Sequence, residues 1–230
     1  MKNLRWLWLL VTLGVLAEGF RVAMFVVPPD AAQGDVQRIF YYHFASWCGM
    51  GLFYLINLLG SVAYLAWRNS KPATALKADS LAVTSAEIGV VFCTVGLVTG
   101  SLWGRAVWGI WWTWDPRLTS MLVCWLLYAG YLMLRHAVEE PTQRARIAAV
   151  FSIFASVDVP IVFFSIRWWR TQHPQPVVWG GGSMDPAYWN TLFLNWIPLL
   201  LLGAAMAGIR LRQERRQREL EALRRMAHAL

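Results

Sequence analysis

Two histidines and five clustered tryptophans are the residues of this sequence whose types and spacing could support chemistry. His43 lies in the segment RIFYYHFASW, and His173 lies in the segment RWWRTQHPQP. Between them, residues 103–120 read WGRAVWGIWWTWDPRLTS, which we call the tryptophan-rich segment. It contains one-third of the 15 tryptophans of the chain: Trp103, Trp108, Trp111, Trp112 and Trp114. Imidazole nitrogens ligate transition metals and indole rings offer flat apolar surfaces, so these residues suit a planar ligand that contains a metal.

A planar iron porphyrin would use all of these residue types. Its iron takes one or two axial nitrogen ligands, and its macrocycle needs an apolar aromatic bed. Its two propionates need cations. The candidate cations are four arginines near the same segments: Arg105, Arg117, Arg167 and Arg170. Two histidines alone would make a poor zinc site, because structural zinc takes four ligands and catalytic zinc takes three from the protein.

The same tryptophans have a second interpretation as an interfacial belt. Tryptophan collects where lipid headgroups meet hydrocarbon, and a single histidine at that boundary needs no metal to explain it. On a continuous helix, Trp108, Trp111 and Trp112 would share one face, because residues three and four apart are neighbours. Such a face suits a porphyrin and a membrane boundary equally well, so the spacing leaves both interpretations open.

The composition is that of a membrane protein with several spans. Of the 230 residues, 57% are hydrophobic and 15% are charged, and the mean hydropathy is +0.42. Such a chain is too apolar for a soluble domain. The formal net charge of +8 does not indicate nucleic-acid binding, because the basic residues lie at the ends of apolar runs. Cys48, Cys93 and Cys124 form no CxxC pair and predict buried thiols.

Six apolar runs are long enough to cross a hydrocarbon core of about 30 Å as helices. We place them at residues 6–27, 43–67, 81–102, 119–135, 147–166 and 191–209. The predicted fold class is therefore all-α, a polytopic membrane protein with six transmembrane helices. Residues 1–209 form the predicted transmembrane domain, with a tryptophan-rich loop at 103–120, and residues 210–230 form a basic helical tail.

Lysine and arginine counts predict the orientation of these helices. One side of the predicted bundle carries 15 of the 21 basic residues, seven of them in the tail, and the other side carries six. Under the positive-inside rule the more basic side is cytoplasmic, and both termini lie there. The tryptophan-rich segment, His43 and His173 are then expected to face outward.

Asp115 has a structural explanation from its neighbour. It precedes Pro116, and an Asp–Pro pair is typical of a helix N-cap followed by the first helical residue. Because Asp115 also lies in the tryptophan-rich segment, it stays among the candidate ligand-binding residues.

Three acids fall within the predicted spans: Glu18, Glu87 and Asp158. Charged groups are costly in lipid and indicate either a buried partner or a function. Glu18 could pair with Arg21 one turn later, and Asp158 could satisfy backbone groups released near Pro160. A proton relay through the three acids is the alternative interpretation.

Three motifs resemble the CcmC family of haem-handling membrane proteins, which acts in bacterial cytochrome c maturation. The segment VTGSLWGRAVWGIWWTWDPRLTS is similar, almost residue for residue, to the tryptophan-rich WWD signature of that family. The run Trp168, Trp169, Thr171 and His173 is a second match, and the start of the second helix around His43 is a third. The resemblance covers nearly the whole chain, including six spans with both ends inside.

The resemblance implies a function that the spacing alone does not. It implies that b-type haem binds non-covalently at the periplasmic face of the bacterial inner membrane, with His43 and His173 as axial ligands of the iron. It implies delivery of haem to the periplasmic chaperone CcmE by a complex with the ATPase CcmA, the membrane subunit CcmB and the small membrane protein CcmD. This chain would then be a haem-transfer subunit and not an enzyme. The implied haem-binding residues are His43, His173, Trp103, Trp108, Trp111, Trp112, Trp114, Asp115, Arg105 and Arg117.

Two other functions fit parts of the same sequence. Longer relatives that share the WWD stretch are cytochrome c haem lyases, which attach haem to the thiols of an apocytochrome. A secondary transporter driven by protons would use Glu18, Glu87 and Asp158. The sequence contains no nucleotide-binding motif, so any use of ATP would belong to another chain.

Overall fold

The computed structural model describes residues 2–173, 178 and 184–228, which form a bundle of α-helices. The helices are α1 (Lys2–Arg21), α2 (Ile39–Trp67), α3 (Pro72–Trp108), α4 (Pro116–Ala137), α5 (Pro141–Ser156), α6 (Asp158–Trp168) and α7 (Pro186–His228). A π-helical segment, Val22–Val26, continues α1, and a 3-10 turn, Asp35–Arg38, leads into α2. The described residues contain no strand, only an isolated bridge between Asp30 and Gly34.

Within the described part of the chain, six helical segments are long and apolar enough to cross a membrane. This confirms the prediction of an all-α membrane protein with six spans. One of the six, Pro141–Trp168, consists of α5 and α6 together, interrupted at Val157. Pro160 explains the break, because proline has no N–H and its ring clashes with the carbonyl four residues earlier. That carbonyl belongs to Ser156, where α5 ends.

The helices extend beyond the apolar runs that predicted them. α3 starts at Pro72 and ends at Trp108, whereas the sequence predicted residues 81–102. Its first turns read PATALKADS, which is polar but rich in helix-forming residues and begins with proline at a favourable position. The start of the tryptophan-rich segment is therefore helical, and the predicted loop at 103–120 is limited to residues 109–115. This corrects the prediction.

The centre of the bundle lies between α2 and α3. α2 packs along α3 and also contacts α5 and α7, while α1 contacts α7. Tyr54 of α2 and Tyr128 of α4 stack there with their ring centroids 3.4 Å apart. Cys93 and Cys124 are buried in the same core, as predicted, but Cys48 is only half-buried.

The antiparallel helices bring different residues to the two ends of the bundle. The starts of α2 and α4 meet the ends of α3 and α6 at one end, where the predicted ligand-binding residues lie. At the opposite end, the start of α3 meets the end of α4 and the last turns of α7. The predicted boundary at 209/210 falls inside α7, and Arg210 forms an ion pair of 2.6 Å with Glu87 of α3. The described part of the tail continues α7 as far as His228, and it packs against the bundle.

Candidate functional site

A cleft lies between the start of α2, the end of α3, the start of α4 and the residues that follow α6. We call it the histidine cleft. It contains about 940 Å³ of empty space when its open mouth is included. Six of the predicted haem-binding residues line it: His43, His173, Trp103, Trp108, Trp112 and Arg117.

The two histidines face the same space from different elements. Their ring centroids are 6.5 Å apart and their planes differ by 32°. A bond from imidazole nitrogen to a metal is about 2 Å, and the nitrogen lies about 1 Å from the ring centre, so two histidines on opposite sides of one metal have ring centres about 6 Å apart. The spacing of His43 and His173 therefore fits a single metal ion held between them.

His43 is held by α3, the neighbouring helix. It lies in the second turn of α2, and its Nδ1 is 3.0 Å from the hydroxyl oxygen of Thr99. A Cβ atom at Gly100 would come within 3.1 Å of the imidazole, so glycine allows this close approach. Trp103 packs edge-on against His43 at 5.8 Å, and its indole N–H donates to Gln33 at 2.7 Å. The first histidine is thus fixed in position by several contacts.

The tryptophans reach the cleft from two kinds of structure. Trp103 and Trp108 lie on the last turns of α3, whereas Trp112 lies in the loop after it. The helix ends at Gly109, whose φ of 77° is the left-handed conformation that glycine adopts at helix ends. The expectation that Trp108, Trp111 and Trp112 share one helical face is therefore wrong.

Trp111 and Trp114 lie outside the lining of the histidine cleft. Their exposed fractions are 58% and 76%, and Trp114 packs edge-on against Trp112 with the ring centroids 5.9 Å apart. Such exposed indoles fit the interfacial-belt interpretation, whereas the tryptophans in the cleft fit a ligand bed. The structure therefore separates two sets of tryptophans, one that lines the cleft and one that lies outside it.

Arg117 is the predicted cation that lines the cleft. Its side chain is buried, its guanidinium donates to the carbonyl of Val162, and it lies 4.8 Å from the ring centroid of Trp47. Among the described residues, no carboxylate forms an ion pair with it. A buried guanidinium beside a cleft is suited to an anionic group of a ligand.

The other three candidate arginines lie outside the cleft lining. Arg105 is exposed, and its guanidinium donates to the carbonyl of Gly109 just beyond the end of α3. Arg167 and Arg170 are also exposed. Of the four arginines considered from the sequence, the structure therefore brings only Arg117 to the two histidines.

Asp115 does not line the cleft, but it connects two of its walls. One carboxylate oxygen caps α4 by accepting the backbone N–H groups of Arg117 and Leu118 at 2.9 and 3.0 Å, which confirms the predicted N-cap. The other oxygen accepts the hydroxyl of Thr171 and the backbone N–H of Gln172, the latter at 2.8 Å. The sequence predicted the cap but not this second connection.

The second connection holds the segment that carries His173. The hydroxyl oxygen of Thr171 accepts the backbone N–H of His173 at 3.0 Å, so Asp115, Thr171 and His173 form a continuous series of hydrogen bonds. Burial alone would raise the pKa of Asp115, but the bonds from Thr171 and from three backbone N–H groups outweigh it and hold the pKa below its ordinary value. The carboxylate is therefore ionised at neutral pH.

Several further residues of the site were not among the predicted ligand-binding residues, and four of them are Gln33, Trp47, Thr99 and Gln172. Trp47 was visible only as part of the motif around His43, and Thr99 directly precedes Gly100 in the family-like segment. Gln33 and Gln172 lie in connecting segments and carry no signal of their own. Their roles depend on contacts between distant parts of the chain.

Comparison with known proteins covers all of the elements that form the histidine cleft. A family model described as CcmC, heme exporter protein C, matches residues 1–226. The heme exporter protein C of Escherichia coli strain K12 is 36% identical over 209 residues, which are 89% of this chain and 81% of the relative. The heme exporter protein C of Bradyrhizobium diazoefficiens is 35% identical over 204 residues, which are 87% of this chain and 75% of the relative. The heme exporter protein C of Rhodobacter capsulatus is 31% identical over 218 residues, which are 92% of this chain and 86% of the relative.

Proposed function

This chain belongs to the heme exporter protein C (CcmC) family, and we propose that it binds haem in the histidine cleft during cytochrome c maturation. His43 and His173 are the axial ligands of the iron, and the haem is b-type and held without a covalent bond. The relatives are named heme exporter proteins, which supports a role in haem handling. The protein acts as a binding and transfer subunit, and the proposal assigns it no catalytic residue.

The spacing of the two imidazoles is the observation that carries this proposal. Their ring centroids lie 6.5 Å apart across a cleft, close to the separation of about 6 Å that one metal between two imidazoles requires. Haem iron accepts two axial nitrogens, one on each face of the macrocycle. Zinc would need at least one more protein ligand, and the described residues contain no group of three or more His, Cys, Asp or Glu that could hold a metal ion.

The rest of the cleft suits a porphyrin. Trp103, Trp108 and Trp112 offer apolar aromatic surface for a macrocycle, and Arg117 offers a buried cation for a propionate. Asp115 acts indirectly, by holding the segment that bears His173. The chain's own contribution is therefore to bind haem, to orient it and to shield it from water on its buried side.

The partners and the location belong to the same proposal. The cleft opens toward the periplasm from the bacterial inner membrane, because the opposite end of the bundle carries most of the basic residues. Haem passes from the cleft to the periplasmic chaperone CcmE. ATP hydrolysis belongs to CcmA, which acts with CcmB and CcmD in an ABC-type complex around this chain.

Visible spectra of the purified protein test the proposal. The full-length chain, expressed with its proposed partners and excess haem and purified in detergent, is expected to carry six-coordinate low-spin haem. His43→Ala and His173→Ala are each expected to lose or convert that spectrum, since each removes one axial ligand. His136→Ala is the matched control, because His136 lies in the last turn of α4 at the other end of the bundle.

Two results would overturn the proposal. One is a parent protein that stays haem-free under those conditions. The other is a haem spectrum that is the same in the parent, His43→Ala and His173→Ala. Stable capture of an apocytochrome peptide, without capture of CcmE, would favour the haem-lyase alternative instead.

A further inference from the structure

The hydrogen bond between His43 and Thr99 bears on the chemical state of the imidazole. A neutral histidine carries its proton on one ring nitrogen and a lone pair on the other, and only the nitrogen with the lone pair can ligate a metal. His43 Nδ1 lies 3.0 Å from the Thr99 hydroxyl oxygen, a normal hydrogen-bond distance. The question is which of the two groups donates.

The surroundings of Thr99 answer this question. A hydroxyl group has one hydrogen to donate, and its oxygen can accept. The Thr99 oxygen lies 2.7 Å from the carbonyl oxygen of Val95, the usual length of an O–H···O bond, and 3.2 Å from that of Gly96. Carbonyl oxygens can only accept, so the hydroxyl hydrogen of Thr99 points at its own helix. In the hydrogen bond between the two side chains, His43 Nδ1–H is therefore the donor and the Thr99 oxygen is the acceptor.

We propose that Thr99 is a positioning residue that selects the tautomer of His43 with the proton on Nδ1. The lone pair on Nε2 is then available to bind a metal. The tautomer assignment stands on the hydrogen bonds alone. Its consequence for iron rests on the function proposed above. Thr99 acts through His43 and needs no contact with haem.

The position of α3 supports this assignment. Gly100, the next residue, lets the helix approach the ring so closely that a Cβ there would be 3.1 Å from Cε1 and 3.6 Å from Nδ1 of His43. This side of the imidazole is therefore held against α3, while His43 also borders the cleft. Donation from the second nitrogen to an oxygen is the usual support of metal-bound histidine, and losing such a partner typically reduces metal affinity about 10- to 100-fold.

The first test needs no haem. The chain has four histidines, so full-length haem-free protein with ¹⁵N-labelled histidine in detergent gives few ring-nitrogen signals, and His43→Ala identifies those of His43. The His43 signals are expected to show a protonated Nδ1 and an unprotonated Nε2. Thr99→Val, which keeps the shape but removes the hydroxyl acceptor and leaves the backbone of Gly96 as the hydrogen-bond partner on this side, is expected to shift the tautomer ratio, and Thr99→Ser is expected to restore it.

The second test uses the haem-loaded protein. Thr99→Val is expected to retain haem about 10- to 100-fold more weakly and to have a more positive midpoint potential, because the imidazole loses a hydrogen bond that makes it a better donor to iron. Thr99→Ser is expected to match the parent in both measurements.

Thr94→Val is the matched control on the same helix. Thr94 donates its hydroxyl to the carbonyl of Val90 at 2.8 Å and accepts from the indole N–H of Trp125 at 2.8 Å, so it repeats the arrangement of Thr99 without a histidine. Its removal is expected to leave both the His43 signals and the midpoint potential unchanged.

The inference about Thr99 is overturned if His43 of the parent protein carries its proton on Nε2. It is also overturned if Thr99→Val leaves both the tautomer and the potential as in the parent. If the ring-nitrogen signals behave as expected but no variant binds haem, the assignment of Thr99 stands and the proposed function fails.

Discussion

At the scale of single residues, Arg117 is the side chain of the cleft whose environment most needs an explanation. Its guanidinium is buried, stacks over Trp47 and donates to a backbone carbonyl. Asp115 acts on it electrostatically, but no carboxylate of the described residues forms an ion pair with it. Buried charges in proteins are normally paired. A haem propionate would supply the missing anion, so we expect Arg117 to contribute directly to haem retention.

Replacing Arg117 with Gln is expected to weaken haem retention about 10- to 100-fold, the size of effect expected when a hydrogen bond to a charged group is lost. Arg117→Lys is expected to give an intermediate loss, because it keeps the charge but not the planar fork. The rate of haem transfer from each variant to an excess of apomyoglobin measures this effect.

Arg105→Gln is the control for that experiment, since Arg105 is exposed and lies outside the cleft lining. The melting temperature of each variant separates loss of haem from loss of folding. A haem transfer rate for Arg117→Gln equal to that of the parent would mean that no propionate contacts this guanidinium.

At the scale of helices and loops, Asp115 joins the start of α4 to the segment after α6. The same carboxylate caps the helix and holds Thr171 and Gln172, the two residues before His173. His173 is therefore positioned through a residue of the tryptophan-rich segment. We expect substitutions at Asp115 to displace the segment that carries His173 more than the rest of the cleft.

Asp115→Asn tests this connection with little change of shape. The amide can still cap α4 with its oxygen, but its NH₂ group then faces the backbone N–H of Gln172, so one donor meets another. The haem spectrum of Asp115→Asn is expected to change in the same way as that of His173→Ala, with the His43 ligand kept.

Glu140→Gln provides a control with the same local chemistry. Glu140 precedes a proline and caps α5 by accepting the backbone N–H groups of Thr142, at 2.8 Å, and Gln143. It lies at the other end of the bundle, so its variant is expected to keep the parent spectrum. If Asp115→Asn also keeps the parent spectrum, the connection does not position His173.

At the scale of the whole molecule, a charged network joins three helices at the end of the bundle opposite the cleft. Asp79 of α3 pairs with Arg135 of α4 at 2.7 Å and with Arg218 of α7 at 2.5 Å. Asp79 and Arg135 are both buried. Arg144 of α5 pairs with Glu221 of α7 at 2.8 Å, so the last turns of α7 stabilise the bundle through ion pairs.

Asp79→Asn is expected to destabilise the protein by about 3–5 kcal/mol, because removing one partner of a buried ion pair leaves uncompensated charge. The thermal midpoint in detergent, followed by tryptophan fluorescence, measures this loss. The haem spectrum of the folded fraction is expected to stay that of the parent, since the network is remote from the cleft.

Glu18→Gln is the comparison for Asp79→Asn. Glu18 pairs with Arg21 at 2.7 Å, but about half of each side chain is exposed, so its loss is expected to lower stability much less than the loss of Asp79. Equal thermal midpoints for Asp79→Asn and Glu18→Gln would contradict the structural role of the network.

The acids that suggested a proton relay have separate structural environments. Glu18 pairs with Arg21, as predicted, and Glu87 pairs with Arg210 at 2.6 Å. Asp158 starts α6, and its Oδ2 is buried without a hydrogen-bond partner in the described part of the chain. Two of the three acids therefore have cationic partners. Of the three, Asp158 is the one that could still support the proton-transport alternative.

Much of the fold could be predicted from the sequence because its signals are local. Hydropathy over about 20 residues marks a span, an Asp–Pro pair marks a helix start, and residues one turn apart on a helix are neighbours. These signals predicted the six spans, the cap at Asp115 and the pair of Glu18 with Arg21. They missed the polar first turns of α3. They also ended this helix at residue 102, whereas it continues to Trp108 and is capped by Gly109.

By itself, the sequence determined the all-α membrane fold, the residue types of the site and the family-like motifs. Only the tertiary structure decided that His43 and His173 face each other, that Arg117 and not Arg105 lines their cleft, and that Trp111 and Trp114 lie outside it. The same holds for Thr99 beside His43 and for Asp115 beside Thr171. The physical reason is that each of these contacts joins residues far apart in the chain, and their distance depends on how α2, α3, α4 and α6 pack.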